Sequence, residues 1–240
     1  MNKQLVLNTL AKDIFRKQAD FDYISARVNF RLGLRQQFLW SAQQAIEKYL
    51  KAILLFNGKS ARYYLKPKEY GHNLNRLLES VVTLNYLKLD LPKWTNDFLR
   101  YLSELGGFNR YMSKSSFNQN DFLFKLDEIV WSIRRYCRHF PEKEGFPGLK
   151  EACVDSANNK LYKEKPTLYN LIDGELEKIL KRKPRDEARK ALVWGNLFYG
   201  AKNRKSVSIK TISSSEVAVK DRHWYEEAIK GFNIEDYIKP

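Results

Sequence analysis

The chain has 240 residues, a formal net charge of +15 and an aromatic content of 14%. This aromatic content excludes a disordered tail protein, and the lack of any run of roughly 20 apolar residues predicts that no segment crosses a membrane. The chain has two cysteines, Cys137 and Cys153, which fits a reducing, cytoplasmic environment, with a disulfide between them as the alternative. Neither belongs to a CxxC motif, so we expect no zinc site.

Hydrophobic periodicity predicts a helical bundle over residues 1–140. The N-terminal segment 3–17 is amphipathic and predicts a short helix. Asp20 and Asp22 fit the first turn of the next helix, where carboxylates face the positive end of the helix dipole. The other predicted helices of the bundle cover residues 35–56, 73–85, 92–105 and 121–140.

The helix predicted over residues 35–56 is the element around which we expect the bundle to pack. Its apolar residues recur at steps of three and four, the period of one helix face: Phe38, Ala42, Ala45, Ile46, Tyr49, Leu50, Ile53 and Phe56. Polar residues, including Gln43 and Glu47, follow the other side, and Glu47 lies four residues before Lys51, the favourable order for an ion pair. Asn57-Gly58 predicts the end of the helix.

The remaining residues, 141–240, predict an extension packed on the bundle, because their aliphatic and aromatic content is too high for a free tail. Three helices are predicted near 148–162, 168–180 and 185–198, and a basic run occupies 181–184 between the last two. Two segments with period-two alternation, 206–212 and 216–220, flank Ser213-Ser214-Ser215 and predict a β-hairpin.

Four motifs in order resemble the HEPN family (higher-eukaryote and prokaryote nucleotide-binding domains). They are Ala19-Asp20-x-Asp22-Tyr23-x-x-Ala26-Arg27, Ala42-Gln43-Gln44-Ala45-x-Glu47-Lys48-x-Leu50-Lys51-Ala52, His72-Asn73-Leu74-x-x-Leu77-Leu78 and Phe108-Asn109-Arg110-Tyr111. The resemblance covers about residues 19–140. It implies an all-α, up-and-down bundle and a homodimer, because the usual cleft of the family lies between two bundles.

The resemblance also implies a candidate active site. Many HEPN proteins are thought to be metal-independent ribonucleases with an Arg-x(4–6)-His pair, and Arg134 and His139 have this spacing. Histidine titrates near neutral pH and can transfer the proton, and an arginine fork grips phosphate oxygens. The pair nevertheless lies at the end of its predicted helix, where a basic last turn equally serves to complement the helix dipole.

The charge distribution predicts a polyanionic partner, most simply RNA or a nucleotide. Residues 1–140 hold 23 Lys/Arg against 12 Asp/Glu, and residues 141–240 hold 20 against 16. General solubility charge is the alternative. The residues expected to contact nucleic acid are Arg62, Arg110, Tyr111, Arg135 and Arg138. No phosphate-binding glycine loop or metal-ligand spacing occurs, so we expect no cofactor and no metal.

Three hypotheses for function follow. The first is a nucleic-acid or nucleotide-binding HEPN protein of a defence or toxin–antitoxin system, partnered by a nucleotidyltransferase or an antitoxin. The second is a metal-independent endoribonuclease using Arg134 and His139. The third is a protein-assembly module that acts through the extension at residues 141–240, with an exposed hairpin edge as its contact.

Overall fold

The computed structural model describes residues 3–61, 73–104, 121–140, 149–159, 172 and 174–200. Within these ranges every regular element is a helix, as predicted for the bundle. The β-hairpin predicted over 206–220 lies outside the described residues. The helices are α1 (Lys3–Thr9), α2 (Lys17–Arg31), α3 (Arg35–Phe56), α4 (Leu74–Val82), α5 (Thr95–Leu102), α6 (Phe122–Arg134), α7 (Leu149–Asn158), α8 (Glu175–Leu180) and α9 (Glu187–Val193).

The first two helices are joined without a break. A π-helical segment, Leu10–Arg16, connects α1 to α2, and the junction residues Thr9 and Arg16 keep helical dihedral angles. The sequence has no Gly or Pro between residues 3 and 32, so nothing in the backbone stops the helix. The short helix predicted before Asp20 is present as α1, and Asp20 lies in the first turn of α2 as expected, but the two helices are continuous through the π segment instead of being separate.

A tight turn folds α3 back against α2. Gly33 has a φ of 73°, the left-handed conformation that favours glycine. The amide of Leu34 donates to Asn29 O at 2.8 Å, which closes the end of α2. At the other end of α3, Gly58 also has a positive φ, and Lys59 N donates to Leu54 O at 2.9 Å. The predicted stop at Asn57-Gly58 is confirmed.

Helix α3 lies at the centre of the core and is buried almost all round. The predicted apolar face is buried, and the Glu47–Lys51 ion pair forms at 2.5 Å. However, Gln43 and Glu47 are buried as well, because α2 packs along α3 and the π segment, α4 and α6 also contact it. The expected polar side of this helix is thus largely covered.

Local hydrogen bonds set the ends of α4 and α5. Asn73 caps α4 by accepting from Arg76 N at 3.2 Å, as expected for this start. Pro92 begins a turn rather than the helix, since Thr95 N donates to its carbonyl at 3.0 Å, and α5 begins at Thr95.

Helix α6 ends at Arg134, six residues earlier than predicted. The next amides, of Tyr136 and Cys137, bond three residues back rather than four, to Ile133 O and Arg134 O. The Cys137 carbonyl accepts from the Arg16 guanidinium at 3.0 Å. This long-range bond holds the segment after α6 against the N-terminal helix.

Candidate functional site

Arg134, half of the predicted catalytic pair, lies in a buried polar cluster. Its side chain is fully buried at the end of α6. Nε and Nη2 donate to the two oxygens of Asp20 at 2.7 and 2.9 Å, and Nη1 and Nη2 donate to the two oxygens of Glu177 at 2.6 and 2.7 Å. The Tyr199 hydroxyl lies 3.5 Å from Nη1. All five N–H groups of the guanidinium therefore face an acceptor.

Asp20 is the second centre of this cluster. Besides Arg134, its carboxylate accepts from the Tyr49 hydroxyl at 2.6 Å and from the backbone amide of Glu175 at 2.8 Å. Glu177 in turn accepts from the amide of Gly174 at 3.0 Å. The cluster thus joins α2, α3, α6 and the start of α8 through charge-assisted hydrogen bonds, which are stronger than neutral ones.

Burial and the fixed charges change the pKa values in this cluster. Burial lowers the pKa of Arg134, but the Asp20 carboxylate and the hydrogen bonds of both acids outweigh it, and the pKa is raised well above its ordinary value. Burial and the Asp20 charge raise the pKa of Tyr49 well above its ordinary value. Arg134 therefore stays a cation and Tyr49 a neutral donor.

A second buried network lies beside the first. Arg27 of α2 pairs with Asp127 of α6, and its guanidinium also donates to the Ala191 carbonyl at 2.8 Å and to the Trp194 carbonyl. Tyr23 donates to Asp127 at 2.7 Å. Its hydroxyl accepts from the Asn196 amide at 2.8 Å. Like Arg134, Arg27 ties the segment 174–200 to the helical bundle.

The two residues of the predicted Arg-x4-His pair lie in different environments. His139 is exposed and follows the end of α6, whereas Arg134 is buried. Because α6 ends at Arg134, His139 lies beyond the helix and not in its last turn. The catalytic assignment of Arg134 and His139 stays a prediction, and the saturation of the guanidinium favours a structural role for Arg134.

The other predicted contact residues divide into two groups. Arg135 is buried with its guanidinium 5.0 Å from the Tyr136 ring, and Arg138 is half-buried and donates to the Cys153 carbonyl at 2.8 Å. Arg62, Arg110 and Tyr111 lie outside the described residues. The described part of the protein therefore brings Arg135, Arg138 and His139 to one short segment after α6.

A comparison with family models identifies the family of the helical bundle. The model for the HEPN domain matches residues 13–129. Residues 13–129 form a HEPN domain. This confirms the resemblance, and it associates the chain with nucleotide- or RNA-related function in general. No curated protein and no solved structure matches the chain.

The HEPN match stops before the residues that complete the buried networks. Asp20, Arg27 and Asp127 belong to the HEPN domain, whereas Arg134 and Glu177 follow it. Sequence reasoning missed Asp127, Glu177 and Asn196 as members of a cluster. The available signal was Asp20, Tyr23 and Arg27, whose spacing places polar groups on the same helix face as the buried Ala19, Ala26 and Phe30.

The described part of the chain has neither a cluster of metal ligands nor a membrane-spanning helix. There, no three His, Cys, Asp or Glu side chains are grouped as metal ligands, and both cysteines have free thiols. None of the described helices combines the length and apolar character needed to span a bilayer.

Proposed function

We propose that the chain is an RNA-binding HEPN protein that does not cleave RNA with Arg134 and His139. The observation that carries this proposal is the saturation of Arg134 by Asp20 and Glu177. An arginine that stabilises a phosphoryl transition state needs N–H groups free to meet the phosphate oxygens. Here the carboxylates of Asp20 and Glu177 occupy the N–H groups of Arg134. If the guanidinium turned to a phosphate instead, these buried carboxylates would lose their partner.

The binding half of the proposal is supported by family and charge. HEPN membership supports a nucleotide- or RNA-related ligand. The net charge of +15 supports a polyanion, since lysine and arginine neutralise phosphates and release counterions. Arg138 and His139, at the partly exposed end of the segment after α6, are the described residues that we propose as phosphate contacts.

The finer predictions about biology remain predictions. They are a defence or toxin–antitoxin role, a nucleotidyltransferase or antitoxin partner, and a homodimer. The ribonuclease hypothesis also remains, because His139 is exposed and available for proton transfer. For the assembly hypothesis, the predicted hairpin edge falls outside the described residues. The division at residue 140 into bundle and extension is likewise a prediction.

A single assay separates binding from cleavage. We would titrate the protein into a fluorescent single-stranded RNA at several salt concentrations in EDTA, then run the same samples on a denaturing gel. We expect binding that weakens as salt rises and intact RNA in every lane. His139→Ala is expected to leave the RNA equally intact and to weaken binding slightly, because one contact is lost.

The ribonuclease hypothesis makes the opposite prediction for the same gel. RNA products in EDTA that disappear with His139→Ala would replace the present proposal with that hypothesis. Wild-type protein that binds no RNA at 50 mM salt would contradict the binding half. Asp97→Asn is a suitable control variant, because this carboxylate is exposed and pairs with another exposed side chain, Arg100.

A further inference from the structure

An exposed basic turn lies outside the HEPN domain, between α8 and α9. The turn and the adjoining helix ends, residues 178–190, contain seven Lys/Arg and two Asp/Glu. These 13 residues therefore carry one third of the net charge of the chain. The HEPN match ends at residue 129. The charge of this turn is therefore a property of this chain and needs its own explanation.

Four cations of the turn point into solvent. Lys181, Arg182, Lys183 and Arg185 are exposed. Arg182 contacts Asp186 at 3.5 Å, and within the described ranges no ion pair holds the other three. Like charges so close together repel one another, and a surface ion pair returns at most about 1 kcal/mol. A cluster left uncompensated in this way has a polyanion as its natural ligand.

Hydrogen bonds fix the shape of the turn. Arg182 N donates to Ile179 O at 3.1 Å, and Asp186 N donates to Lys183 O at 2.9 Å. Asp186 then caps α9 by accepting from Arg189 N, and Arg189 Nε donates across to Leu180 O, both at 3.0 Å. Pro184 further restricts the backbone between them. A turn held in this way loses little conformational entropy when it binds.

Both arms of the turn are anchored to the buried networks. At the start of α8, Glu177 binds Arg134 and the amide of Glu175 binds Asp20. At the end of α9, the carbonyls of Ala191 and Trp194 accept from Arg27. The turn is therefore presented at a fixed place on the bundle rather than on a free tail.

We propose that the basic turn Lys181–Arg185 binds the phosphate backbone of single-stranded RNA. The proposal rests on the proposed RNA binding and adds a second phosphate-binding surface to Arg138 and His139. The turn contains no aromatic side chain to stack on a base. Its contribution is therefore electrostatic and independent of RNA sequence. The alternative ligand of the turn is an acidic protein surface, and one outcome of the test points to it.

The test compares two triple variants with the same charge change. Lys181→Gln/Lys183→Gln/Arg185→Gln removes the turn cations, and Lys3→Gln/Lys12→Gln/Lys93→Gln removes three exposed cations elsewhere. Affinity for U20 and A20 oligonucleotides is measured from 50 to 300 mM salt by fluorescence anisotropy. Circular dichroism melting verifies that both variants fold.

The turn variant is expected to bind both oligonucleotides at least about tenfold more weakly at 0.1 M salt, with a salt slope less negative by about 2, because three contacts to a single strand are lost. The control variant is expected to change much less. Equal effects of the two variants would overturn this inference but leave the proposed RNA binding standing. An acidic protein surface would then be the ligand to test for the turn. If wild-type protein binds neither RNA, the proposed function and this inference both fail.

Discussion

Arg134 lies five positions before His139, yet its guanidinium group is committed to two carboxylates and a phenol. Two bidentate contacts use the planar fork of arginine in a way that lysine cannot reproduce. The cluster holds two acids and one arginine, and the backbone amides of Gly174 and Glu175 supply further donors to the acids. Removing the cation would leave two buried carboxylates facing one another.

Replacement of Arg134 tests this structural role. Arg134→Ala is expected to lower the free energy of unfolding by about 3–5 kcal/mol, the usual cost of removing one partner of a buried ion pair. Arg100→Ala is the matched control, because Arg100 is 64% exposed in its pair with Asp97, and we expect a loss of at most about 1 kcal/mol. Urea denaturation measures both. Equal losses would mean that the buried network contributes nothing special.

The sequence predicted which residue types would matter here, but not their roles. The motif around Asp20 and Arg27 resembles a family signature, and the spacing of Arg134 and His139 resembles a catalytic pair. Burial of Arg134 depends on Glu177, 43 positions later, and no local pattern specifies that contact. Long-range pairing of two charges becomes visible only when the helices that carry them are placed side by side.

At the scale of the elements, the packing of the helix pair α8 and α9 depends on a close approach of the Gly174 backbone to the side chains of Arg134 and Asp20. A Cβ at this position would lie 2.5 Å from Arg134 Nη2 and 3.0 Å from Asp20 Oδ2. The backbone of Gly174 is extended, with φ −135°, so any residue accepts its dihedral angles. Space, rather than backbone strain, therefore requires glycine at the start of α8.

Gly174→Ala is expected to displace the guanidinium of Arg134 and cost about 1–3 kcal/mol, the range for overpacking a core. Hydrogen exchange should then speed up across α8 and α9. Gly33→Ala is the control: nothing lies within 4 Å of its added Cβ, and its left-handed φ costs about 1–2 kcal/mol. Its effect should stay at the α2–α3 turn. Unchanged exchange in α8 and α9 of Gly174→Ala would contradict this account.

The predictability of the elements follows from whether their signals are local. The end of α3 at Asn57-Gly58 and the start of α4 near Asn73 were predicted, because glycine and asparagine act on their own turns. The end of α6 was predicted six residues too late. After α6, the Cys137 carbonyl accepts from Arg16, 121 positions away. Apolar periodicity does not show such a long-range bond, so it predicted a helix that is too long.

For the molecule as a whole, the buried phenols predict a loss of stability at alkaline pH. Burial, with the charges of Asp127 and Asp20 respectively, raises the pKa of Tyr23 and of Tyr49 well above 10. The folded state therefore holds these protons more tightly than the unfolded state does. The resulting stability is complete below pH 10 and is lost as the pH rises from 10 towards the folded pKa values.

Comparison with Tyr49→Phe isolates one of these protons. Wild type is expected to exceed the variant in unfolding free energy at pH 8, because the variant lacks the hydrogen bond to Asp20. This excess should shrink by about 1.4 kcal/mol for each pH unit above 10, since the variant has one proton fewer to lose on unfolding. Urea denaturation at pH 8, 10 and 11 measures the difference. A constant excess over this range would mean that Tyr49 ionises as easily folded as unfolded.

The π segment Leu10–Arg16 has a consequence for the position of α1 on the bundle. Each π turn holds one residue more than the α turn it replaces, so the segment absorbs an extra residue without breaking the helix. Deleting one residue there would restore an α turn and rotate everything before it by about 100°. The Gln4 amide, now 3.3 Å from the Phe56 carbonyl, would turn away from α3. The HEPN match begins at residue 13, inside this segment, so the segment sets the rotation at which α1 meets the matched domain.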